Sequence, residues 1–189
     1  MKKLLLILSF AFISFISNAQ LDSTALLIID VQNFYFPGGD APLVEPEKAA
    51  AQAKLLLDFF RKNNGLVVHV KHNYEPGGDI YALLKPLPNE KIFTKNDVNA
   101  FLGTGLNDYL QKNHIKNIIL CGMQTQMCLE GATRAAHDLG YKCTVIADAC
   151  ATRDLTYNGV TIKAMDVHYS TLATLKSYAK VVRLEDYLK

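Results

Sequence analysis

The chain has 189 residues, half of which are hydrophobic, and its formal net charge is +2 at neutral pH. This length favours one domain with an ample core, and the composition excludes a chain that is disordered as a whole. A charge so close to zero gives no indication of nucleic acid or a membrane surface as a partner.

The first 19 residues differ from the rest of the chain. Lys2 and Lys3 make a positive start, an almost unbroken apolar run covers residues 4–16, and small residues follow where a signal peptidase reads. The run is too short and wrongly flanked for a stable membrane span. We therefore expect a signal peptide over residues 1–19 and a single domain over residues 20–189. The mature protein would then be exported, into a periplasm or out of the cell.

The first predicted strand runs from Thr24 to Ile29. Its β-branched and leucine-rich residues do not alternate with polar ones, which is typical of a central parallel strand covered on both faces. It ends at Asp30, and open α/β sheets place their chemistry at the carboxyl ends of strands. An aspartate that only caps a turn is the alternative. A helix follows, with Pro46 in its first turn and a stop at Asn64-Gly65.

The second predicted strand, Leu66 to Val70, carries His69 and leads to His72. Two neighbouring histidines suggest a metal site, but no third ligand follows at metal-like spacing, so we expect no metal. The pattern favours a hydrogen-bonded His69 and a His72 that lines a pocket. Residues 73–90 contain several prolines and glycines, which predicts a long loop or lid.

A short third strand, Ile92 to Thr94, ends at Lys95. A lysine at the end of a strand is usually solvated, but this one has the same placement as Asp30. Phe101 follows in a loop that is expected to wall a pocket, and Thr104 begins the next predicted helix.

A fourth strand, residues 115–120, leads into the segment CGMQTQMC, which ends at Cys128. Apolar residues then recur at helical spacing up to Gly140, and Thr125 is a favourable N-cap for this helix. Cys128 would lie in its first turn, where the helix dipole favours the thiolate, the nucleophilic form of cysteine. The alternative is a small buried hydrophobic residue, as most free cysteines are.

The remaining elements are a fifth strand at residues 141–147, a helix at 159–178 and a last strand at 180–183. The inward face predicted for that helix consists of Ile162, Met165, Tyr169, Leu172 and Leu175. Strand and helix therefore alternate five or six times. This order predicts a three-layer α/β/α sandwich, Rossmann-like, around a mostly parallel sheet of five or six strands.

Three residues with complementary chemistry end different strands of this predicted sheet: Asp30, Lys95 and Cys128. A switch point beside the first strand would bring them together. Because an exported protein folds in an oxidising compartment, disulfide pairing is left open for the other cysteines, Cys121, Cys143 and Cys150.

The motifs LLIIDVQNFYFPGG, IFTKN and GMQTQMCLEGATRAAHDLGY, with VIADACATRD after them, resemble those of the isochorismatase-like cysteine hydrolase superfamily. That superfamily includes nicotinamidase and N-carbamoylsarcosine amidase. The chain departs from the pattern in two places. Phe34 stands where an acidic residue is usual, and the histidines after the second strand lack the Asp-x-His arrangement of nicotinamidases.

The resemblance implies an Asp-Lys-Cys triad at Asp30, Lys95 and Cys128. It also implies a cis peptide bond between Met123 and Gln124, and an oxyanion hole made by the backbone N–H groups of Gln124 and Cys128. A cysteine hydrolase of this kind would cleave the amide or carbamoyl C–N bond of a small molecule through a thioester, without a cofactor.

Two other functions stay open at this point, a vinyl-ether hydrolase of the isochorismatase type and a non-catalytic exported binding protein. A thiol-redox protein is disfavoured because the chain has no Cys-x-x-Cys pair. The expected partner is a small-molecule substrate, and relatives often form homodimers or larger homo-oligomers. The residues predicted to line the pocket are Phe34, Tyr35, His72, Phe101 and Gln126.

Overall fold

The centre of the fold is a six-stranded sheet with the strand order β3-β2-β1-β4-β5-β8. The computed structural model describes residues 21–189, so the predicted signal peptide lies outside the described residues. The strands are β1 Thr24–Ile29, β2 Leu66–His72, β3 Lys91–Lys95, β4 Asn117–Met123, β5 Lys142–Ala151 and β8 Ala179–Val182. All neighbouring pairs are parallel. The predicted sheet is therefore confirmed.

Helices cover both faces of this sheet. They are α1 Pro46–Lys62, α2 Leu106–Lys112, α3 Glu130–Asp138, α4 Ala164–Leu175 and α5 Leu184–Tyr187. Residues of α1 and α5 pack into one core layer, and residues of α2, α3 and α4 pack into the other. Every residue of β1 is buried, because the strand is covered on both sides. Within the described part of the chain, no helix combines the length and apolar character needed to cross a membrane.

A small β-hairpin replaces the first turns of the helix predicted at residues 159–178. Strands β6 Leu155–Tyr157 and β7 Val160–Ile162 pair in antiparallel fashion around Asn158 and Gly159. Both turn residues have positive φ, 49° and 76°, and Asn-Gly is the preferred sequence for such a turn. The inward face predicted for the helix at residues 159–178 was also wrong in part.

The exposed residues of that predicted face are Ile162, Met165 and Tyr169. The buried ones are Leu172 and Leu175. The helix starts only at Ala164, so its buried face is set by Val167 and His168 as well. Because the hairpin shifts the start of the helix, part of the apolar pattern read over 159–178 is not helical at all.

The carboxyl ends of the central strands meet at one edge of the sheet. Ile29 of β1 is in register with Gly122 of β4, and His72 of β2 is in register with Lys95 of β3. Gly122 has φ 127°, and a Cβ there would lie 2.0 Å from the carbonyl oxygen of Ile29. Only glycine allows this approach. The strand order reverses between β1 and β4, so this edge is the switch point where such sheets place their sites.

Candidate active site

Asp30 lies directly after β1 and is completely buried. Its backbone N–H donates to the carbonyl oxygen of Val70 at 2.9 Å, which continues the pairing with β2 for one residue. Its φ is 48°, a left-handed conformation that aspartate tolerates better than most residues. The chain therefore turns out of the sheet at Asp30, at the edge where β1 and β4 meet.

The ammonium group of Lys95 is the centre of the site. Its Nζ lies 2.7 Å from Oδ2 of Asp30, and neither side chain is exposed to solvent. It donates hydrogen bonds to Nδ1 of His72 at 3.0 Å, to the carbonyl oxygen of Asp97 at 3.0 Å and to Sγ of Cys128 at 3.2 Å. One buried cation therefore contacts a carboxylate, an imidazole and a thiol. Asp30, Lys95 and Cys128 therefore lie together, as the sequence predicted.

Cys128 is held by a π-helical segment, Thr125–Leu129, between β4 and α3. The cysteine is buried, with an exposed fraction of 4%. Short π-helical segments are rare and occur often at functional sites. The sequence predicted an ordinary helix here, because a π-helical turn has no composition that distinguishes it from α-helix.

The pKa of the Cys128 thiol is opposite to the expectation drawn from the helix dipole. Burial and the negative charge of Asp30 raise the pKa of Cys128, the charge of Lys95 lowers it by less, and the result is a pKa of about 12. The sequence placed the cysteine at an accessible helix end, but desolvation favours the neutral thiol. In the resting site, the sulfur is therefore protonated, and it needs a base before it can attack.

Asp30 has the properties of that base. Burial raises the pKa of its carboxyl above the usual 3.8, and the charge of Lys95 opposes this only in part. Both carboxylate oxygens are buried, and Lys95 and Cys128 are the neighbours whose hydrogen bonds lower the pKa, though less than burial raises it. The carboxylate therefore lies beside the thiol whose proton it would take. A raised pKa suits a group that takes a proton from a neighbouring thiol.

Thr125 does not cap the helix, contrary to the sequence-based expectation. Its hydroxyl group instead donates to the carbonyl oxygen of Ala151 at 3.2 Å and contacts Nδ1 of His168 at 3.0 Å. The segment's N-cap is Gln124, which makes no side-chain capping bond. Thr125 is buried, so its hydroxyl finds partners on β5 and α4 rather than on its own turn.

The peptide bond between Met123 and Gln124 is cis, as the resemblance implied. The side chain of Gln124 donates to the hydroxyl oxygen of Tyr35 at 3.4 Å and accepts from Gln126 at 3.1 Å. The hydroxyl of Thr152 in turn donates to the Gln126 side chain. These contacts hold both glutamines in place at the start of the π-helical segment that carries Cys128. The oxyanion hole at the backbone N–H groups of Gln124 and Cys128 stays a prediction.

Two of the predicted pocket residues, Phe34 and Tyr35, lie in a short 3₁₀ turn after Asp30 and are buried. Their rings contact each other at 4.1 Å between centroids, and Phe34 also packs on Tyr74 of the loop after β2. Burial raises the pKa of Tyr35, and the nearby charges of Cys128 and Asp30 add to this. Tyr35 is therefore close to the reacting groups, and Phe34 lies under the loop.

Phe101, another predicted pocket residue, packs on an aromatic ring of the second core layer. Its ring stacks on Tyr141, with 6.3 Å between centroids, immediately before the amino-terminal end of β5. Phe101 packs against the core layer that also contains Cys128, and its place in the wall of a pocket stays a prediction. An apolar partner in the second core layer accounts for its position.

The two histidines have separate roles. His69 is buried on β2 and pairs with Glu90, with 2.9 Å between Nε2 and Oε2, so the predicted hydrogen-bonded strand histidine is confirmed. His72 joins Asp30 and Cys128 in a group whose potential ligand atoms lie within 4.8 Å of one another. The ammonium of Lys95 contacts all three of these groups, so the cationic position among them is filled by the protein's own charge.

The four cysteines are all buried and all free. None of the pairings left open for Cys121, Cys143 and Cys150 is formed. The sequence analysis did not identify two partners of the site, Gln32 and the carbonyl oxygen of Asp97. Gln32 follows Asp30 by two residues. Its polar side chain just after a buried strand was the one feature of the sequence that could have indicated it.

Comparison with known proteins agrees with this geometry. The isochorismatase domain model matches residues 24–177. The isochorismatase family protein YddQ of Bacillus subtilis is 40% identical over 179 residues, which are 88% of this chain and 99% of that protein. The crystal structure of an isochorismatase-family hydrolase from Oleispira antarctica superimposes with a TM-score of 0.84 at 39% identity, covering 88% of this chain and 96% of that one.

A relative with a named reaction is also similar. Maleamate amidohydrolase of Pseudomonas putida is 25% identical over 186 residues, which are 84% of this chain and 86% of that protein. The sheet order, the site at its switch point and these matches agree. The chain belongs to the isochorismatase family of hydrolases.

Proposed function

We propose that this hydrolase cleaves an amide or carbamoyl C–N bond of a small molecule, with Cys128 as nucleophile, Asp30 as base and Lys95 as the cation that organises them. The observation that carries the proposal is the ammonium of Lys95, which lies 2.7 Å from the carboxylate of Asp30 and 3.2 Å from the sulfur of Cys128. The similarity to an amidohydrolase supports C–N bond cleavage as the reaction.

The proposed reaction begins with transfer of the Cys128 proton to Asp30. The resulting thiolate, stabilised by Lys95, forms a bond to the substrate carbonyl carbon. The oxyanion would be held by the backbone N–H groups of Gln124 and Cys128, and such donors contribute roughly 3–4 kcal/mol each in other enzymes. When the C–N bond breaks, Asp30 gives its proton to the leaving amine, and a thioester remains on Cys128.

Water completes the cycle. Asp30 takes a proton from the attacking water, the oxygen forms a bond to the thioester carbon, and the C–S bond breaks. The released sulfur takes the proton back from Asp30, which restores the starting state. Each step uses side chains of this chain alone, so no cofactor is required for proton balance.

Vinyl-ether hydrolysis is the second candidate, because it is the reaction of isochorismatase, the enzyme after which the family is named. The buried thiol within hydrogen-bond distance of Lys95 favours covalent chemistry over it. A binding protein without catalysis is the third candidate. A purely binding role does not explain why the buried carboxylate of Asp30 lies beside the thiol of Cys128.

The test is a screen of small amides, carbamoyl compounds and isochorismate with the wild-type protein and Cys128→Ala. We expect ammonia release from at least one C–N substrate, its loss in Cys128→Ala, and an acyl adduct on Cys128 after rapid acid quench. Turnover should persist after exhaustive dialysis against a chelator. Pyruvate release from isochorismate that survives Cys128→Ala would support the second candidate. No turnover and no adduct would support the third.

The amino-terminal segment supports a further proposal, that the protein is exported and processed after residue 19. Lys2 and Lys3 followed by the apolar run at 4–16 are the features that support it. Intact mass of the protein secreted by a native-type host measures the cleavage site. A mature chain that begins at Gln20 is expected, and a soluble species that retains Met1 would contradict the proposal.

A further inference from the structure

His72 is the neighbour of Lys95 that the proposed reaction does not use. Its Nδ1 lies 3.0 Å from the ammonium nitrogen. An ammonium group has three hydrogens and no lone pair, so a ring nitrogen can receive this bond only in its unprotonated form. The ring hydrogen of neutral His72 must then be on Nε2. The contact with Lys95 thus selects one tautomer and excludes the imidazolium.

The hydrogen bonds of Lys95 account for all three of its hydrogens. They go to Nδ1 of His72, the carbonyl oxygen of Asp97 and the sulfur of Cys128. Asp30 is the fourth neighbour, and it is closer than the others, at 2.7 Å. Hydrogen bonds from Lys95 and Cys128 also lower the pKa of Asp30. The ammonium therefore has more acceptors around it than hydrogens, and the acceptors at His72 and Asp97 limit how it can turn.

We propose that His72 is a positioning residue for the reaction: with the carbonyl oxygen of Asp97, it accepts hydrogen bonds from Lys95 and so fixes the ammonium between the sulfur of Cys128 and the carboxylate of Asp30. This role rests on the proposed function, because it acts through Lys95 on Cys128 and Asp30. If the acceptor at His72 were lost, the ammonium would be free to turn or shift away from the sulfur, and the thiolate of Cys128 would lose its cation.

The backbone around His72 is fixed by a buried glutamine. Gln32 accepts from the backbone N–H of His72 at 2.7 Å, and its amide donates to the carbonyl oxygen of the same residue at 2.9 Å. The same amide donates to the carbonyl oxygen of Gly78 at 2.6 Å. Gln32 follows Asp30 by two residues, so one segment supplies the base and holds the ring that orients the cation.

The charges around the ring keep it neutral. Burial lowers the pKa of His72 below the usual 6.5, and the positive charge of Lys95 lowers it further. The negative charges that face it, Asp30 at the end of β1 and Asp97 after β3, oppose this in part. At neutral pH, Nδ1 is therefore available as an acceptor. In acid, the ring gains a proton, the bond to Lys95 is lost and two positive charges face each other.

Two substitutions of His72 distinguish the effect of its hydrogen-bond acceptor from the effect of its bulk. His72→Asn places an amide oxygen near Nδ1 and does not titrate, whereas His72→Leu has similar bulk and no acceptor. The readouts are the rate of Cys128 alkylation by iodoacetamide, which needs no substrate, and the separate kcat and KM of turnover. Surface His137→Asn is the matched control, since His137 lies on α3 and is exposed.

His72→Leu should lower both the alkylation rate and kcat about 10–100-fold with little change in KM, because small displacements of a reacting group have effects of this size. His72→Asn should restore both rates to within a few-fold of wild type. It should also make the acid limb of the alkylation rate less steep, from two protons to one, because only Asp30 then titrates. A wild-type rate in His72→Leu, or a His72→Asn variant as slow as His72→Leu, would overturn the proposal.

The wild-type protein provides a measurement that no folding defect can affect. Nitrogen-15 NMR of the histidine rings at neutral pH should show His72 with its hydrogen on Nε2, and a hydrogen on Nδ1 would overturn the proposal. Both NMR and alkylation are independent of turnover. If no C–N substrate is found but these results hold, the proposed function fails while the effect of His72 on Lys95 and on the reactivity of Cys128 stands.

Discussion

The segment that follows β4 and the last residues of β5 each carry a buried thiol, and the neighbours of the two thiols differ. Cys128 and Cys150 have exposed fractions of 4% and 7%. Burial raises the pKa of both to about 12. The sulfur of Cys150 donates to the carbonyl oxygen of Ile146 at 3.2 Å, whereas the sulfur of Cys128 receives a hydrogen bond from Lys95. Position in the fold and burial are similar, but the neighbours are not.

Under the proposed mechanism, this difference explains why Cys128 and not Cys150 acts as the nucleophile. A low resting pKa is not needed if a carboxylate with a raised pKa lies beside the thiol, because the proton then moves only between two buried groups. The cation compensates the charge of the thiolate that forms. Cys150 has the same burial without this machinery, and it is the natural control for every test of Cys128.

The largest effect is expected from the nucleophile itself. Cys128→Ala should lower kcat by about 10⁴-fold or more, because the loss of a nucleophile removes the whole covalent path. Cys150→Ala should leave kcat within a few-fold and change the free energy of unfolding by about 1 kcal/mol. Steady-state kinetics and denaturant unfolding of both variants measure this contrast. Equal losses of kcat in the two variants would mean that burial, and not the neighbours, sets their roles.

The next largest effect is expected from the base. Asp30→Asn should lower kcat about 10²–10⁴-fold, the range typical of a general base. Asp148→Asn is the matched control, because Asp148 lies near Cys150 and accepts from the backbone N–H of Leu184 at 2.8 Å, a bond that asparagine retains. Its kcat should stay close to wild type. If Asp30→Asn also kept the wild-type kcat, the proton of Cys128 would have to go elsewhere.

A smaller effect is expected in the pH dependence of the two thiols. The alkylation rate of Cys150 should rise about tenfold per pH unit up to its pKa of about 12, because it depends on the thiolate fraction. The rate of Cys128 should instead be flat at neutral pH and fall in acid, as Asp30 is protonated at a pKa above 3.8. Alkylation rates measured between pH 4 and 9 distinguish the two profiles. Parallel profiles would remove Asp30 as the base.

The sequence was sufficient for the sheet and for the convergence of the three charged or nucleophilic groups. Apolar runs without alternation mark buried parallel strands, and the carboxyl ends of such strands share one edge of the sheet. Asp30, Lys95 and Cys128 could therefore be placed together before any contact was known. The hairpin at 155–162 also has a signal in the sequence, because Asn158-Gly159 is a preferred turn dipeptide. A helical apolar pattern overlaps this dipeptide and predicts a helix there instead.

The electrostatic state of the site was beyond the sequence. The pKa of Cys128 depends on how deeply the sulfur is buried and on its distance from Asp30, and both are tertiary properties. The partners of Thr125 lie on β5 and α4, so a capping rule based on neighbouring residues gave the wrong answer. The ring contact of Phe101 could not be foreseen for the same reason, because its partner Tyr141 lies 40 residues later in the chain.

The most direct test of the central claim is the order in which the four cysteines react with iodoacetamide. Exposure alone favours Cys143 and Cys150, each 7% exposed, over Cys128 at 4% and Cys121 at 0%. If Asp30 and Lys95 make Cys128 a nucleophile, time-resolved mass spectrometry at neutral pH will show Cys128 modified first, and Lys95→Ala will slow its modification. Faster reaction at Cys143 or Cys150, or an unchanged rate at Cys128 in Lys95→Ala, would contradict the account.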